Sequence, residues 1–519
     1  MHFLSKSPRR VCALLCVLGF TVPAAAGASE RRSDEYIVSL GPSLTQVAGH
    51  DAIAAAGGRV TRDLHIINSL GARLTRPAAA RLRRSPSVTA VVPNARMLTS
   101  AAQTTNSTSL TGTTLLTAFN QSLGTDRAWT SSYAATGKGI TVAVIDTGIA
   151  GNLADFRSSQ KDTSSRVIAS VVTNPEAGSA GDGYGHGTHV AGLIAGNGFN
   201  RTTSDPLFGK YAGTAPDAKL VSIKASDEHG NATVLDVIYG LQFAVDNRAA
   251  YAIRVVNLSL ESSTAQSSRL DPLDAAVEQA WLHGLVVVAA AGNRATAPDA
   301  VSYAPGNDPY AVSVGAVDDL GTKSVKDDLL ASWSSRGVTQ DGYKKPDILA
   351  PGARLVSTLS PGSDFSRECP SCVVSGEYIR LGGTSMAAAV TSGVVADLLQ
   401  AHPTWTPDEI KAVLMGTART VTSGKEVAAD VAVRVTDPKT YAKANSGLTP
   451  NTLLDPATGD IDYTKASWSK ASWSSAADPL KASWSKASWS CTCSLTTTGT
   501  IDTARASWSK ASWSTAWDK

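Results

Sequence analysis

The chain has 519 residues, of which 43% are hydrophobic and 18% are charged. This composition is ordinary for a soluble globular protein, and the length suits about two to four domains. The 47 basic and 44 acidic residues leave a net charge of +3, which gives no electrostatic reason to expect a nucleic acid or another polyanion as a partner.

The first 28 residues have the features of a secretory signal peptide. Basic residues precede an apolar run at 11–20, and small residues follow it. The run is shorter than the ~20 residues that a membrane-spanning helix needs. We therefore predict a secreted, extracellular protein that is cleaved after Ala26 or Ala28. The alternative is a buried N-terminal helix.

Four cysteines remain after the signal peptide, and an even number in an oxidising compartment favours disulfides. Cys369 and Cys372 are predicted to form a short-loop bridge. Cys491 is predicted to pair either with Cys493 or with another chain, because one intervening residue strains an intrachain bond. A redox or metal role for the CPSC sequence is the alternative, but no strand followed by a helix opening at Cys369 surrounds it.

Residues 29–98 predict a small α+β unit. A strand is indicated by the alternation at 35–40, a helix by the alanine-rich stretch at 45–56, and a second helix and strand by residues 73–97. Residues 99–124 are rich in serine, threonine, asparagine and glutamine. Because they lack the apolar surface that would offset the entropy of ordering, they predict a linker.

The region 125–430 alternates short apolar runs with helical patterns. Strands are predicted at 140–146, 220–225, 254–260, 285–293 and 311–317. Continuous apolar strands that alternate with helices indicate an α/β fold with a mostly parallel sheet and helices on both faces. Ligand sites in such sheets lie at the carboxyl ends of the strands, where Asp146 and Asn293 occur.

Two helices of this region have clear sequence boundaries. Asp271 is placed to cap a helix that has Pro272 in its first turn and closes at Gly284. Thr406 and Glu409 have the spacing of a capping box ahead of a second helix.

Residues 431–519 are predicted to be a C-terminal extension with a low-complexity, tryptophan-rich repeat. KASWSKASWS occurs twice and RASWSKASWS once, and seven of the eleven tryptophans fall in this part. A five-residue period fits neither one helix face nor one strand face, and the repeats are too few for a solenoid. We predict an appendage with aromatic contact points for a cell surface or a glycan. A tail without a specific partner is the alternative.

The Asp-Thr-Gly sequence at 146–148 is compatible with two kinds of peptidase. If Asp146 shared a proton with a second carboxylate, a second such triplet or a two-fold dimer would have to supply it. The sequence has no second copy; instead, GHGTHVAG follows at 185–192 and GTSMA at 383–387. Aspartate, histidine and serine in this order are typical of the subtilisin arrangement.

The chain resembles the subtilase family from about residue 125 to residue 420. VAVIDTGI, GHGTHVAG, VVVAAAGN and GTSMA occur in the family's order, and KPDILAPG at 345–352 precedes the serine. The resemblance implies a subtilisin-like fold and a serine endopeptidase that acts on polypeptides. The unit at 29–98 resembles the family's ferredoxin-like inhibitory propeptide, which implies a zymogen whose propeptide is also a partner.

Ser385, His186 and Asp146 are the residue types that acyl transfer needs. A serine hydroxyl is a weak nucleophile and requires a base, for which a histidine is suited near neutral pH. A buried aspartate can accept from the other ring nitrogen and stabilise the imidazolium. The resemblance adds the side-chain amide of Asn293 and the backbone N–H of Ser385 as the oxyanion hole.

His189 follows His186 in a stretch of small residues, and we interpret it as structural. A zinc site formed by these two histidines would lack a third ligand at suitable spacing and the glutamate of zincin motifs. No metal ligand is assigned, and no cofactor is required for the chemistry. Calcium is common in the family, however, and Asp155 lies where a structural calcium ligand could sit.

By resemblance, Ser259, Leu260, Glu261 and Gly292 bind substrate and wall the primary specificity pocket. Glu261 stands where family members often have glycine. A salt bridge with Arg294 would leave the pocket neutral, whereas an unpaired Glu261 would favour basic side chains. The sequence is compatible with both arrangements.

The leading prediction is a secreted serine endopeptidase that forms an acyl-enzyme on Ser385 and matures by cutting itself within 96–125. The alternative is a surface-binding protein that acts through its tryptophan-rich tail and whose peptidase is slow or inactive. Retention of the complete triad and of Asn293 favours the enzyme.

Overall fold

A computed structural model describes residues 33–41, 44–99, 102–103, 115–422, 424–448 and 450–452. The predicted signal peptide, half of the predicted linker, the KASWS repeats and both C-terminal cysteines lie outside the described residues. Within the described ranges, no helix has the length and apolarity that a membrane span requires.

The N-terminal part is an antiparallel sheet with two helices. Its elements are β1 (Ser33–Leu40), α1 (Gln46–Ala55), β2 (Arg59–Leu64), β3 (Ser69–Thr75), α2 (Arg76–Leu82) and β4 (Val88–Pro93). The strand order is β2-β3-β1-β4. The hydroxyls of Thr45 and Thr75 accept from first-turn N–H groups and cap the two helices. An α+β arrangement therefore occurs where one was predicted, and its role as a propeptide stays a prediction.

Two short strands, β5 (Arg96–Thr99) and β6 (Ala102–Gln103), continue from this unit. The sequence favoured one strand up to residue 97, but the ladder stops at Pro93, because proline has no N–H to extend it. The chain then leaves the N-terminal sheet and pairs with strands of the following region.

That region contains the remaining strands. They are β7 (Thr141–Asp146), β8 (Val167–Val172), β9 (Lys219–Lys224), β10 (Ala232–Thr233), β11 (Ile253–Leu258), β12 (Leu260–Ser262), β13 (Val286–Ala290), β14 (Val312–Asp318), β15 (Leu329–Leu330), β16 (Gly337–Val338), β17 (Lys344–Lys345), β18 (Ile348–Pro351), β19 (Leu355–Thr358), β20 (Val373–Val374), β21 (Tyr378–Gly382), β22 (Arg419–Val421) and β23 (Gly424–Glu426).

The largest sheet has ten strands in the order β22-β23-β18-β14-β13-β11-β7-β9-β8, with β15 attached to β14. Neighbours from β23 to β8 are parallel, whereas β22 and β15 run antiparallel to their partners. Every residue of β7 and β13 is buried, so both faces of the sheet are covered at its centre. The predicted mostly parallel α/β sheet is confirmed.

The helices of this region are α3 (Phe119–Leu123), α4 (Thr125–Trp129), α5 (His186–Ala195), α6 (Val234–Asp246), α7 (Pro272–Leu282), α8 (Asp364–Glu368), α9 (Thr384–Ala401), α10 (Pro407–Thr417) and α11 (Ala429–Ala432). Helix α9 packs against the middle strands of the large sheet and against α5, and α6 packs against α7. These contacts bring the first turns of α5 and α9 together near the end of β7.

Both predicted helix boundaries are confirmed. The carboxylate of Asp271 accepts from the N–H of Leu273 at the start of α7, and Gly284 follows its end with a φ of +86°. Thr406 and Glu409 form the reciprocal hydrogen bonds of a capping box at the start of α10.

The linker predicted at 99–124 is shorter in the structure. Helix α3 lies inside the predicted range, and its Asn120 is fully buried, with Nδ2 donating to the carbonyl of Ala212 at 2.9 Å. Strand β6 also falls in this range. The polar composition concealed this order because the buried amide is satisfied by hydrogen bonds rather than by apolar contacts.

The domain boundary predicted at residue 430 stays a prediction, and contacts with the preceding region occur beyond it. The described chain continues to residue 452, where the N–H of Asn451 donates to Glu278 at 2.7 Å and its side chain donates to the carbonyl of Ser268 at 2.6 Å. Polar anchoring of this kind leaves no periodic apolar pattern in the sequence.

The strand predicted at 254–260 is split in two. Strand β11 ends at Leu258, and β12 leaves the large sheet to pair with β5. Ser259, between them, exchanges hydrogen bonds with Ser385. This contact, which is distant in sequence, sets the break in the strand.

Candidate active site

The three predicted triad residues come from three different elements. Asp146 is the last residue of β7, His186 is the first residue of α5, and Ser385 is the second residue of α9. All three are buried, with at most 2% of each residue exposed. The carboxyl end of a parallel strand and two helix N-termini therefore converge at one edge of the sheet, as such folds arrange their sites.

Asp146 and His186 form a direct pair. Nδ1 of His186 lies 2.7 Å from Oδ1 of Asp146, and the N–H of Thr147 donates to the same oxygen at 2.7 Å. Within the described residues, Nε2 of His186 has no hydrogen-bond partner. Because the carboxylate engages Nδ1, Nε2 is the ring nitrogen that can serve as the base.

A second aspartate, which the sequence reasoning missed, orders the start of α5. Asp182 accepts from the backbone N–H groups of Gly185 and Thr188 and from the hydroxyl of Thr147. Burial raises the pKa of Asp182, and these hydrogen bonds oppose that rise. The signal was its position just ahead of a helix start, where an acidic side chain satisfies exposed N–H groups.

Ser385 is held by Ser259 in this structure. The hydroxyl of Ser385 donates to the carbonyl of Ser259 at 2.9 Å, and the hydroxyl of Ser259 donates to the carbonyl of Ser385 at 3.0 Å. The hydroxyl of Ser385 is thus turned to a carbonyl rather than to Nε2 of His186. Catalytic hydrogen bonds often form only in the complex with substrate.

Asn293 is oriented by the residue before Ser385. Its Oδ1 accepts from both the N–H and the hydroxyl of Thr384, each at 3.0 Å. The same hydroxyl accepts from the N–H of Gly292 at 3.1 Å. These two bonds fix Oδ1 and with it the orientation of the amide, whose NH₂ group is the donor end.

Two short strands of the chain itself, β5 and β6, pair with strands beside the site. Strand β5 is sandwiched between β10 and β12, with Thr99 opposite Leu260 and Leu98 opposite Glu261. Beyond it, β6 pairs with β21, with Ala102 opposite Gly382. Strand β5 therefore pairs with the predicted substrate-binding strand, and β6 pairs with the strand that leads into Ser385.

Glu261 and Arg294 form the salt bridge that the sequence left open. Their charged groups are 3.0 Å apart, and each side chain is 9% exposed. Burial raises the pKa of Glu261, and the guanidinium opposes the rise. The guanidinium carbon also lies 3.8 Å from the ring centroid of Tyr303. A Cβ at Gly292 would lie 2.4 Å from Glu261, so this pair fills the space beside Gly292.

His189 has the surroundings of a structural histidine. It is fully buried, and its Nε2 faces the carbonyls of Leu355 and Ile379 at 3.2 and 3.1 Å. Burial lowers the pKa of His189 to about 3, so the ring is neutral and acts as a donor to these carbonyls.

The predicted calcium ligand Asp155 belongs to an ion pair instead. Arg201 donates to one carboxylate oxygen at 2.7 Å, and the hydroxyl of Tyr378 donates to the other. A guanidinium therefore supplies the positive charge that a cation would supply, and the residues at Asp155 do not fit calcium. Across the described ranges, no cluster of three or more His, Cys, Asp or Glu residues could hold a metal ion.

The comparisons with known proteins agree on one family. A profile described as "Subtilase family" matches residues 137–446. Serine protease AprX of Bacillus subtilis is 38% identical over 285 residues, which cover 54% of this chain and 61% of that protein. Subtilisin E of the same organism is 30% identical over 414 residues, which cover 78% of this chain and 91% of that protein.

One solved structure extends the likeness to the fold. The crystal structure of fervidolysin from Fervidobacterium pennivorans, a keratinolytic enzyme related to subtilisin, matches with a TM-score of 0.59 at 24% identity. The match covers 78% of this chain and 61% of that one. It shows a shared fold, and the matches span about six tenths of the length of AprX and of fervidolysin.

Proposed function

The chain belongs to the subtilase family, whose members are serine endopeptidases, and on that premise we propose that it is a secreted endopeptidase made as a zymogen. The observation that carries this proposal is the pairing of β5 with β12 and of β6 with β21, which we interpret as the pairing of a substrate-like segment. The complete protein would then hydrolyse peptide bonds in polypeptides through an acyl-enzyme on Ser385.

The acylation step uses the geometry of the triad. The hydroxyl of Ser385 leaves the carbonyl of Ser259, turns to Nε2 of His186 and transfers its proton as Oγ attacks the carbonyl carbon. Asp146 stays ionised and stabilises the imidazolium through Nδ1. His186 then returns the proton to the leaving amine. In the second half of the reaction His186 takes a proton from water as the water attacks the acyl-enzyme carbonyl, and it gives this proton to Oγ of Ser385 as the acid is released.

The oxyanion formed in each step needs fixed donors. We assign this role to the side-chain NH₂ of Asn293 and to the backbone N–H of Ser385, in the first turn of α9. Thr384 holds Oδ1 of Asn293 at 3.0 Å, so the amide is preorganised before charge develops. Preorganised donors are the largest single contribution in many acyl-transfer enzymes.

The N-terminal unit is proposed to be the inhibitory propeptide. Arg62 forms a 2.9 Å ion pair with Asp236 of α6, and the side chain of Asn94 accepts from the N–H of Leu235 at 2.9 Å. These contacts dock the unit onto the first turn of α6, and β5 then fills the substrate-binding strand position. A peptide held there blocks the site until it is cut and released.

The register limits the position of self-cleavage. Residues before the scissile bond pair with β12 and residues after it pair with β21, so the bond lies between Thr99 and Ala102. Expression of the wild type and of Ser385→Ala in a peptidase-deficient host tests this. Wild type should begin at residue 100, 101 or 102, whereas the alanine variant should keep the residues from about Ser29 onward. Trimming of the variant at the same site and rate would show that another enzyme matures the protein.

The primary pocket is proposed to select uncharged side chains. The Glu261–Arg294 pair is internally neutral, and Tyr303 packs on the guanidinium, so no net charge is offered to a substrate side chain beside Gly292. Peptides with leucine or alanine before the scissile bond should be cut in preference to peptides with lysine. The reverse preference would contradict the proposed pocket.

Export and the role of the tail complete the proposal. The predicted signal peptide directs secretion, which fractionation of an expressing culture would test, and retention of the full chain in the cytoplasm would contradict it.

The tryptophan-rich repeats would contact a cell surface or glycan. If a fluorophosphonate probe fails to label Ser385 in the mature protein, the alternative of a binding protein with an inactive peptidase domain becomes the better one.

A further inference from the structure

A strap of residues 360–374 lies between β19 and β21 and faces the loop 182–185 that precedes His186. The strap contains α8 and the disulfide between Cys369 and Cys372. None of the three triad motifs includes the strap, and its sequence has no apolar periodicity that would assign it to the core.

Backbone hydrogen bonds join the strap to this loop. The N–H of Asp364 donates to the carbonyl of Gly183 at 2.9 Å, and the N–H of Phe365 donates to the carbonyl of Tyr184 at 3.1 Å. These two consecutive bonds fix the first turn of α8 directly against the residues that lead into α5. Movement of α8 would therefore be transmitted to the start of α5.

Side-chain packing makes the contact close. The hydroxyl of Ser360 donates to the carbonyl of Asp182 at 2.7 Å. Gly185 adopts a φ of +103°, and a Cβ there would lie 2.7 Å from the hydroxyl of Ser363. Both a left-handed backbone and the absence of a side chain are thus needed at this position.

Phe365 reaches the imidazole itself. Its ring centroid lies 6.3 Å from that of His186 with the planes at 81°, and 4.6 Å from that of Tyr184. Only 4% of Phe365 is exposed. Edge-to-face contacts at such distances are favourable and directional. The ring of His186 is therefore restrained by Asp146 through Nδ1 and by the aromatic contact of Phe365.

The other end of the strap is tied to the strand that leads to the nucleophile. Strand β20 pairs with β21, with Val373 opposite Ile379, and β21 ends at Gly382, close ahead of Ser385. The disulfide joins the end of α8 to the start of β20, and both cysteines are buried, at 4% and 0% exposure. The strap, in which the disulfide closes a small ring of residues 369–372, thus contacts the approaches to both His186 and Ser385.

We propose that Phe365 is a positioning residue for His186 and that the strap, which the disulfide fixes at the end of α8, holds it in place. The inference rests on the proposed peptidase function. The strap keeps Nε2 of His186 aimed at the position that the hydroxyl of Ser385 takes up in catalysis, and the phenyl ring shields the imidazole from water. Loss of the ring should impair proton transfer more than substrate binding, because the substrate strand is held by β10 and β12.

The experiment compares Phe365→Leu with Phe208→Leu in protein that is expressed as the full chain and has then processed itself. Phe208 makes a similar edge contact with Phe199, at 5.6 Å and 86°, in a loop without a triad residue. Active-site titration counts competent Ser385, and kcat and KM are measured with one peptide across pH. For Phe365→Leu, kcat should fall about 10- to 100-fold, the effect of a small misplacement of a catalytic group, while KM changes less than about twofold.

The pH profile separates positioning from a general loss of packing. With the imidazole more hydrated, the acid limb of kcat/KM should move to higher pH in Phe365→Leu and stay in place in Phe208→Leu. If Phe365→Leu does not fold, the wild type is treated with a reductant that opens the disulfide, and kcat should fall with KM preserved. An opened disulfide confirmed by mass spectrometry with kcat unchanged would overturn the inference.

The outcomes distinguish a failure of the proposed peptidase function from a failure of the proposed role of Phe365. If the wild type neither cuts peptides nor reacts with a fluorophosphonate, the proposed peptidase function has failed. If the wild type is active and Phe365→Leu matches it in kcat and in the acid limb, the function stands and the positioning role of Phe365 is wrong.

Discussion

Removal of the Arg294 guanidinium should change both stability and substrate preference. In Arg294→Ala, Glu261 loses a partner at 3.0 Å while its own side chain stays 9% exposed. Breaking a buried pair from one side costs about 3–5 kcal/mol, since it leaves an uncompensated charge. The variant also loses the contact of the guanidinium with Tyr303, so the upper part of this range is expected at neutral pH.

The cost should depend on pH in a defined direction. Burial raises the pKa of Glu261, and Arg294 opposes that rise, so the variant raises the folded-state pKa further above the unfolded value. A carboxyl group with a raised folded pKa destabilises the fold as pH increases above about 4.3, its unfolded value. The deficit of Arg294→Ala relative to wild type should therefore be largest near neutral pH and shrink on acidification.

Denaturant unfolding in a Ser385→Ala background measures this without autolysis. The matched control is the double variant Arg294→Ala with Glu261→Gln, which removes the buried charge and should recover much of the loss. In the active background, the ratio of kcat/KM for lysine over leucine before the scissile bond should rise about tenfold, equivalent to about 1.4 kcal/mol. A deficit that does not vary with pH, together with an unchanged ratio, would refute the reasoning.

Other predictions address the oxyanion hole, the disulfide and the Asp155 pair. Asn293→Leu should fold normally and lose about 10²–10³ in kcat with a smaller change in KM, as documented for the oxyanion asparagine of subtilisin; an unchanged kcat would remove Asn293 from this role. Cys369 should resist alkylation under non-reducing conditions in peptide mapping, and a labelled Cys369 would contradict the bridge. Arg201→Gln should lower the unfolding free energy by about 3–5 kcal/mol, because Asp155 stays buried, whereas Arg367→Gln, at a more exposed pair, should cost at most about 1 kcal/mol; equal losses would disprove the distinction.

The chemistry of the site was readable because it depends on residue type at positions fixed by local structure. A polar residue at the end of a buried strand, such as Asp146, faces the edge where parallel strands place ligands. Small residues around Ser385 predict a helix that begins at a close approach of backbones. These signals are contained in a few consecutive residues, and the structure places them together.

The surroundings of the site were not readable because they depend on pairings between distant residues. Whether Glu261 is paired or free is decided by a bend that brings Arg294 within 3.0 Å. In sequence, Asp155 is compatible with a cation ligand. In the structure, Arg201 and Tyr378, which are distant in sequence, occupy its carboxylate oxygens. The residues next to a charged side chain in sequence do not indicate its partner, so the sequence is equally compatible with the paired and the unpaired arrangement.

Because such pairings come from distant parts of the chain, the triad residues alone do not determine the geometry of the triad. The hydroxyl of Ser385 is held by Ser259 at 2.9 Å, and the helix start at His186 is held by Asp182, which is buried and accepts backbone N–H groups. Each of these contacts acts on the orientation of a reacting group and takes no part in the bonds that form or break. Since a misplacement of about 1 Å can cost about a hundredfold in rate, residues at this distance from the chemistry belong to the function as much as to the fold.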